Sequence, residues 1–337
     1  MQRYFRAVGL FVLVLCAAIA LSGCGKRGNG KSNPPTRPFH MGFTSWPYAA
    51  TIPAVDDTWT KIHAHGDMIT IHIDQGVPWP EAYAGTAYPS KVEAELQNYT
   101  NHIASDKEIF LQVSCLDNMR QNLGGYWNNS GGNQPRPGAW AGYTFANQEI
   151  ADAYVNWMKD LIDRYNPTYV CYGVEVGDLA LQDPAEWANF PVFAQRVYTA
   201  LKLAYPSLPF MVSLSMKTPG SAEMTTTAAA FNQIKNYTDV VGVSIYPYAF
   251  FTYAGAGDPA NLPATWLSQA QALAPSKPIA ITETAWIGQT MDIPAFSLHV
   301  EATPANQNDY LKKLFAECNK RNALFISWFD IVDFDDL

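Results

Sequence analysis

Pro278-Ile279-Ala280-Ile281-Thr282-Glu283-Thr284-Ala285-Trp286 is a short run of apolar and small residues that ends on a carboxylate. A lysine-proline pair precedes the apolar core and an alanine-tryptophan pair closes it, which is the pattern of a buried strand with Glu283 at its C-terminal end. A charge at the end of a buried strand needs a purpose. Working outward, similar runs recur along the chain at 41–46, 68–74, 108–115, 168–175, 209–215, 240–246 and 323–329, making eight strand candidates with 278–283.

Between these runs lie amphipathic segments. Ser90 with Glu93, and Asp183-Pro184 with Glu186, read as capping boxes, the second with proline at the first helical position. Ile150, Tyr154, Trp157, Met158, Leu161, Ile162 and Tyr165 describe one apolar stripe at helical spacing. Eight strands separated by helices predict parallel pairing, right-handed crossovers and closure into a (β/α)8 TIM barrel over 39–337. The alternative is an open doubly wound sheet, but no glycine-rich phosphate loop follows the first strand. The sequence stops at Leu337, so the final helix is expected to be missing or truncated. The longest connection, 116–145, mixes aromatic and amide side chains, which favours a functional loop over a disordered one.

The first 23 residues read as a leader. Arg3 and Arg6 precede an apolar run over 8–20, and Leu21-Ser22-Gly23-Cys24 resembles a bacterial lipobox, with Cys24 the lipidated residue. Residues 24–38 then form a flexible tether. This predicts a lipid-anchored, extracytoplasmic protein of the bacterial cell envelope, whose membrane contact is Cys24; Gly25 after the anchor permits outer-membrane or cell-surface display without selecting it. Losing the leader leaves 20 of the 22 Lys and Arg against 30 Asp and Glu, a net charge of −10, which argues against a nucleic-acid partner. Cys115, Cys171 and Cys318 are too few for a disulfide framework, and buried free thiols are expected.

In a barrel, chemistry gathers at the C-terminal strand ends. Those ends carry Trp46, His72, Asp74, Asn118, Glu175, Asp178, Tyr246, Tyr248, Glu283, Trp286 and Trp328, with Trp79 just beyond the second strand. The set is acidic and aromatic. Two carboxylates across a cleft are the requirement of glycoside hydrolysis, and flat rings pack on the C–H faces of sugars. The same acids could instead cap helices or pair with arginine.

Gly242-Val243-Ser244-Ile245-Tyr246-Pro247-Tyr248, Ile281-Thr282-Glu283-Thr284-Ala285-Trp286 and Ser327-Trp328-Phe329-Asp330 resemble strands six, seven and eight of the clan A retaining glycoside hydrolases, nearest to the endo-β-1,4-galactanase family and its relatives. The resemblance follows the barrel in order but is motif-sized at each strand. It implies Glu283 as nucleophile, Tyr246 as its hydrogen-bonding neighbour and Trp328 as a platform under the sugar. Strand four departs from the pattern, because the clan's Asn-Glu pair is absent. One alignment makes Asp178 the acid, the apolar alternation makes it Glu175, and a third puts Leu179 there and leaves no acid. The clan's arginine near strand two is not evident either; His72 and Asp74 occupy that strand end.

The expected function is therefore cleavage of a β-linked polysaccharide or oligosaccharide by a monomeric, cofactor-free retaining hydrolase, with catalytic candidates Glu283, Glu175 and Asp178. Trp46, Asp74, Trp79, Asn118, Tyr246, Tyr248, Trp286 and Trp328 are the expected substrate contacts. A catalytically inactive carbohydrate-binding lipoprotein on the same barrel is the first alternative. A metal-dependent hydrolase, suggested by His63-Ala64-His65 and by His72 with Asp74, is the second, although His63 and His65 suit a helix C-terminus.

Overall fold

The computed structural model describes residues 37–294 and 298–332. The leader, Cys24 and the tether through residue 36 lie outside the described residues. Among those described, no helix is long and apolar enough to cross a membrane.

Eight parallel strands close into a barrel: β1 (His40–Thr44), β2 (Met68–Ile73), β3 (Glu108–Val113), β4 (Tyr169–Cys171), β5 (Phe210–Ser215), β6 (Val240–Ile245), β7 (Ile279–Thr284) and β8 (Phe325–Trp328). Each strand pairs with its neighbours in chain order, and β8 returns to β1. The chain is a (β/α)8 TIM barrel, not an open sheet. The main outer helices are α1 (Ile52–His65), α2 (Ser90–His102), α3 (Gln148–Tyr165), α4 (Phe190–Ala204), α5 (Ala222–Ile234), α6 (Ser268–Leu273) and α7 (Pro304–Arg321). Among the described residues no helix follows β8, and the seam between β1, β8 and α7 holds a depression of about 390 Å³ lined by Met41, Phe43, Leu311 and Trp328.

The whole α3 stripe from Ile150 to Tyr165 is buried against the barrel, as its spacing requires. Asp183 caps the turn Pro184–Trp187 by accepting from the Ala185 and Glu186 amides at 3.1 and 3.0 Å. The Ser90 box is not formed. Pro89 occupies the cap position, Ser90 turns to Asn129, and Glu93 pairs with Arg164 at 3.1 Å instead.

Strand alternation sorts side chains into layers along the lumen. Met68, Phe110, Cys171, Met211, Val240 and Phe325 form an apolar plug. Two residues further along their strands come Thr70, Gln112, Ser213 and Ser327, all buried, with Thr70 and Ser327 hydroxyls 2.7 Å apart. Another step up lie His72, Ser215 and Phe329, then Asp74 and Lys217 at the rim. The inward faces of β2 and β5 thus pass from apolar through hydroxyl to charged at Asp74 and Lys217, which puts these ionisable groups at the rim. Gly242 follows Val240 on this inner face, and a Cβ there would meet the Val212 carbonyl at 2.6 Å.

Strand four differs from its expected span of 168–175: it ends at Cys171. The chain then runs beside β5 through Gly173, and Glu175 takes a left-handed φ of +53°. Its amide donates to Ser213 Oγ at 2.8 Å. A non-glycine residue held in this region is costly and marks a position fixed by its surroundings.

Candidate active site

Glu283 enters the lumen through an irregularity. Val243 is in register with Ile281, but Ser244 is in register with Glu283, so Thr282 is an extra residue in β7. Without it the alternation from Ala280 would turn Glu283 outward. The bulge re-aims the carboxylate inward and sends Thr284 outward, where its hydroxyl meets Tyr310 on α7 at 2.6 Å.

Around Glu283 the partners are neutral donors. Tyr246 donates its hydroxyl to Oε1 at 2.5 Å and Gln112 its amide to Oε2 at 3.4 Å, while His72 Nδ1 stands 3.5 Å from Oε2. Burial first, then the Glu175 charge, push the Glu283 carboxyl up to about 8, against the opposing pull of Tyr246 and Arg120. His72 is shifted downward by burial, which keeps its ring neutral near pH 7. Tyr246 is raised well above the ordinary tyrosine range, by burial and then by Glu283, so it remains a donor.

Glu175 is held from the other side. Ser244, the strand neighbour of Glu283, donates to Glu175 Oε1 at 2.6 Å, and Arg120 Nε donates to Oε2 at 3.1 Å. Arg120 Nη1 also reaches Asp74 Oδ1 at 2.8 Å. Burial opposes the Arg120 charge, but Asp74 and Glu175 outweigh it and its pKa is raised. This arginine is the residue that sequence reasoning missed. It comes from the loop after β3, with its own φ at +56°, rather than from strand two. Asp178 lies apart from Glu283's partners, ion-paired with Lys217 at 2.8 Å, and is shifted upward by burial ahead of Lys217's opposing pull.

The loop that supplies Arg120 is ordered. It contains a hairpin (Tyr126–Asn128 with Gly131–Gln134) and a 3-10 turn (Gly138–Gly142). Asn133 pins it to the end of β2: its amide donates to the Gln75 carbonyl at 2.6 Å and its side chain to the Asp74 carbonyl at 2.9 Å. Two expected sugar contacts serve this loop. Trp79 is wholly buried and donates Nε1 to the Gly124 carbonyl at 3.0 Å, and Asn118 accepts from Asn133 at 2.6 Å.

Two further aromatics also differ from expectation. Trp286 is wholly buried against Tyr310, with ring centroids 4.7 Å apart. Trp328 shares the outward face of β8 with Ile326 and packs on Tyr310 at 6.1 Å, because Phe325 and Ser327 take the inward positions. The inward alternate is Phe329, whose ring lies 6.3 Å from Tyr246 and 6.0 Å from Trp46. Trp46 is 40% exposed and 6.5 Å from His72, at the mouth; Tyr248 packs edge-on between Tyr246 and Trp286. Asp74 reaches the mouth too, but its carboxylate is engaged by Arg120.

Among the described residues no group of three or more His, Cys, Asp or Glu could hold a metal. His63 instead contacts the His102 carbonyl at 2.8 Å. Cys115, Cys171 and Cys318 are free and buried.

No family model matches the chain, and no curated protein matches it. Solved structures do share its fold. The GH53 catalytic domain of Ignisphaera aggregans aligns over 89% of this chain and 87% of its own, at 17% identity and a TM-score of 0.56. An exo-β-1,4-mannosidase from Opitutaceae bacterium strain TAV5 aligns over 86% of this chain and 51% of its own, at 14% identity and 0.57. A β-glucosidase from Exiguobacterium marinum aligns over 88% and 90%, at 11% and 0.54. The class defined is the TIM-barrel fold, which the chain shares with these glycosidases; at these identities the likeness is one of fold.

Proposed function

We propose that the protein is a retaining glycoside hydrolase acting on a β-linked polysaccharide or oligosaccharide, with Glu283 as nucleophile and Glu175 as acid/base. The observation that carries this reading is the seating of both carboxylates on one strand pair: Tyr246 donates to Glu283, and Ser244, in register with Glu283, donates to Glu175. Glu283 attacks the anomeric carbon while Glu175 passes its proton to the departing glycosidic oxygen. Glu175 then takes a proton from water, whose oxygen displaces Glu283 and frees the sugar. The pair must hold one proton. Burial favours it on Glu283 in the empty site, and positive charge developing at the anomeric carbon favours ionised Glu283 and a protonated Glu175.

The mouth suits a sugar ligand, with Trp46 and Phe329 as flat faces and His72 and Asp74 as polar contacts. Likeness in strand motifs makes galactan-type chains the first substrates to try. Asp178, engaged by Lys217, is not assigned the acid role. Retention at the cell envelope through Cys24 is part of the proposal. A second reading, a sugar-binding barrel without turnover, is favoured by Arg120, whose Nε donates at 3.1 Å to the carboxylate that would have to serve as proton donor.

The test is a hydrolysis screen of the soluble domain on plant and bacterial polysaccharides, with Glu283→Gln alongside. Release of reducing ends by the wild type only, with product of retained anomeric configuration by NMR, is the expected result. Equal turnover by Glu283→Gln removes Glu283 from the mechanism, and binding without turnover decides for the second reading.

A further inference from the structure

Two aromatic platforms flank Tyr246 at the rim. Trp46 and Phe329, from the ends of β1 and β8, lie beside His72 at the end of β2. The turn Pro247–Phe250 after β6 presents the second, Phe250, which is 53% exposed. Its ring meets Tyr246 edge-on at 6.1 Å, and Tyr246 is the donor to Glu283. Lys217, from the end of β5, places Nζ 5.6 Å over the same ring. That ammonium is fixed by Asp178 at 2.8 Å and Ser215 Oγ at 2.9 Å. Gln269 donates to the Lys217 carbonyl at 3.0 Å, and the Thr252 amide donates to Thr218 Oγ1 at 2.8 Å, tying the Phe250 turn to the β5 end.

An exposed phenylalanine pinned in place and bordered by an ion pair has the composition of a sugar subsite: a flat apolar face for ring C–H groups and charged donors and acceptors for hydroxyls. Position says which sugar. Ser215 ends β5 and Lys217 continues it, Ser213 of the same strand accepts from the Glu175 amide, and Asp178 follows Glu175 by three residues. This platform therefore lies beside the acid, while Trp46 and Phe329 lie toward His72. The acid delivers its proton to the bridging oxygen, and the departing sugar must lie on the acid's side. We propose that Phe250, with the Lys217–Asp178 pair, is the subsite for the leaving-group sugar. This rests on the retaining-hydrolase reading and adds that the substrate presents a pyranose or furanose ring, not a small aglycone, to the β4–β6 half of the rim.

The test compares two substrates that share the glycosyl group and differ in what leaves. Probes are β-1,4-linked tetraoses of galactose, glucose and mannose and the corresponding glycosyl fluorides, in which fluoride has no ring to seat. The readout is kcat/KM for the tetraose divided by kcat/KM for the fluoride, a ratio in which any loss of folded protein or of nucleophile strength cancels. Phe250→Ala is expected to lower the ratio about tenfold, the scale of one lost aromatic stacking contact. Lys217→Gln should lower it as well, and Phe250→Tyr, which keeps the ring, should restore it. An unchanged ratio in Phe250→Ala overturns the subsite and leaves the hydrolase standing. Failure of the wild type to cleave any tetraose or fluoride overturns the hydrolase reading, and the subsite with it.

Discussion

Glu283→Gln should stabilise the protein, and the gain should grow with pH. The carboxyl titrates near 4.5 when free and is held up to about 8 in the fold, by burial and by Glu175. A raised folded pKa means that the folded chain binds the proton more tightly than the unfolded one. Stability is therefore lost as pH rises from about 4.5 through about 8, at up to about 1.4 kcal/mol per pH unit, or about 5 kcal/mol at most. Sharing of charge with Glu175 makes that figure an upper bound. Glutamine abolishes the charge and keeps an oxygen for the Tyr246 hydroxyl, so the penalty disappears while the hydrogen bond persists. Urea unfolding followed by circular dichroism, at pH 5.5 and pH 8.5, should show the variant's advantage growing by at least about 2 kcal/mol between them, equivalent to about 4 °C in Tm. An advantage that is the same at both values would refute the burial argument.

The remaining predictions concern the partners. In a pH profile, kcat/KM should fall as pH rises through about 8, because the active pair carries one proton and loses it there. Tyr246→Phe removes the donor that favours ionised Glu283, and kcat should drop about 100-fold with Tm little changed. Arg120→Met leaves Asp74 and Glu175 without their cation and should cost about 3 kcal/mol in unfolding experiments; adding Asp74→Asn in the same chain should recover much of it. Trp328→Ala should cost about 3 to 5 kcal/mol of stability with kcat per folded molecule retained, whereas Phe329→Ala should spare stability and raise KM. The opposite pattern would return Trp328 to the mouth.

Barrel closure was readable because the eight strands are nearly continuous apolar runs and the intervening helices carry clear stripes. Glu283 was readable as a strand-end acid, but its direction was not. Alternation from Ala280 turns it outward, and only the extra residue at Thr282 reverses that. The Trp328 assignment followed the family motif, whereas counting inward positions from Phe325 reaches Phe329. Trp79 and Trp286 look like cleft aromatics in sequence, and burial beneath loops has no local signature. Arg120 had one signal, as the only charged side chain between Asp117 and Arg136. Its route to Glu175 depends on a left-handed residue in a long loop, which no periodicity announces.

That route has an evolutionary consequence. A cation built into a barrel strand is tied to the core, so altering it disturbs the lumen packing. Here the charge that meets Glu175 travels with a connecting segment held through Asn133 and through the Val77–Tyr126 bridge rather than within the barrel. Replacing that one segment would therefore alter the outline of the mouth and the cation beside Glu175 in a single step, leaving the barrel strands untouched.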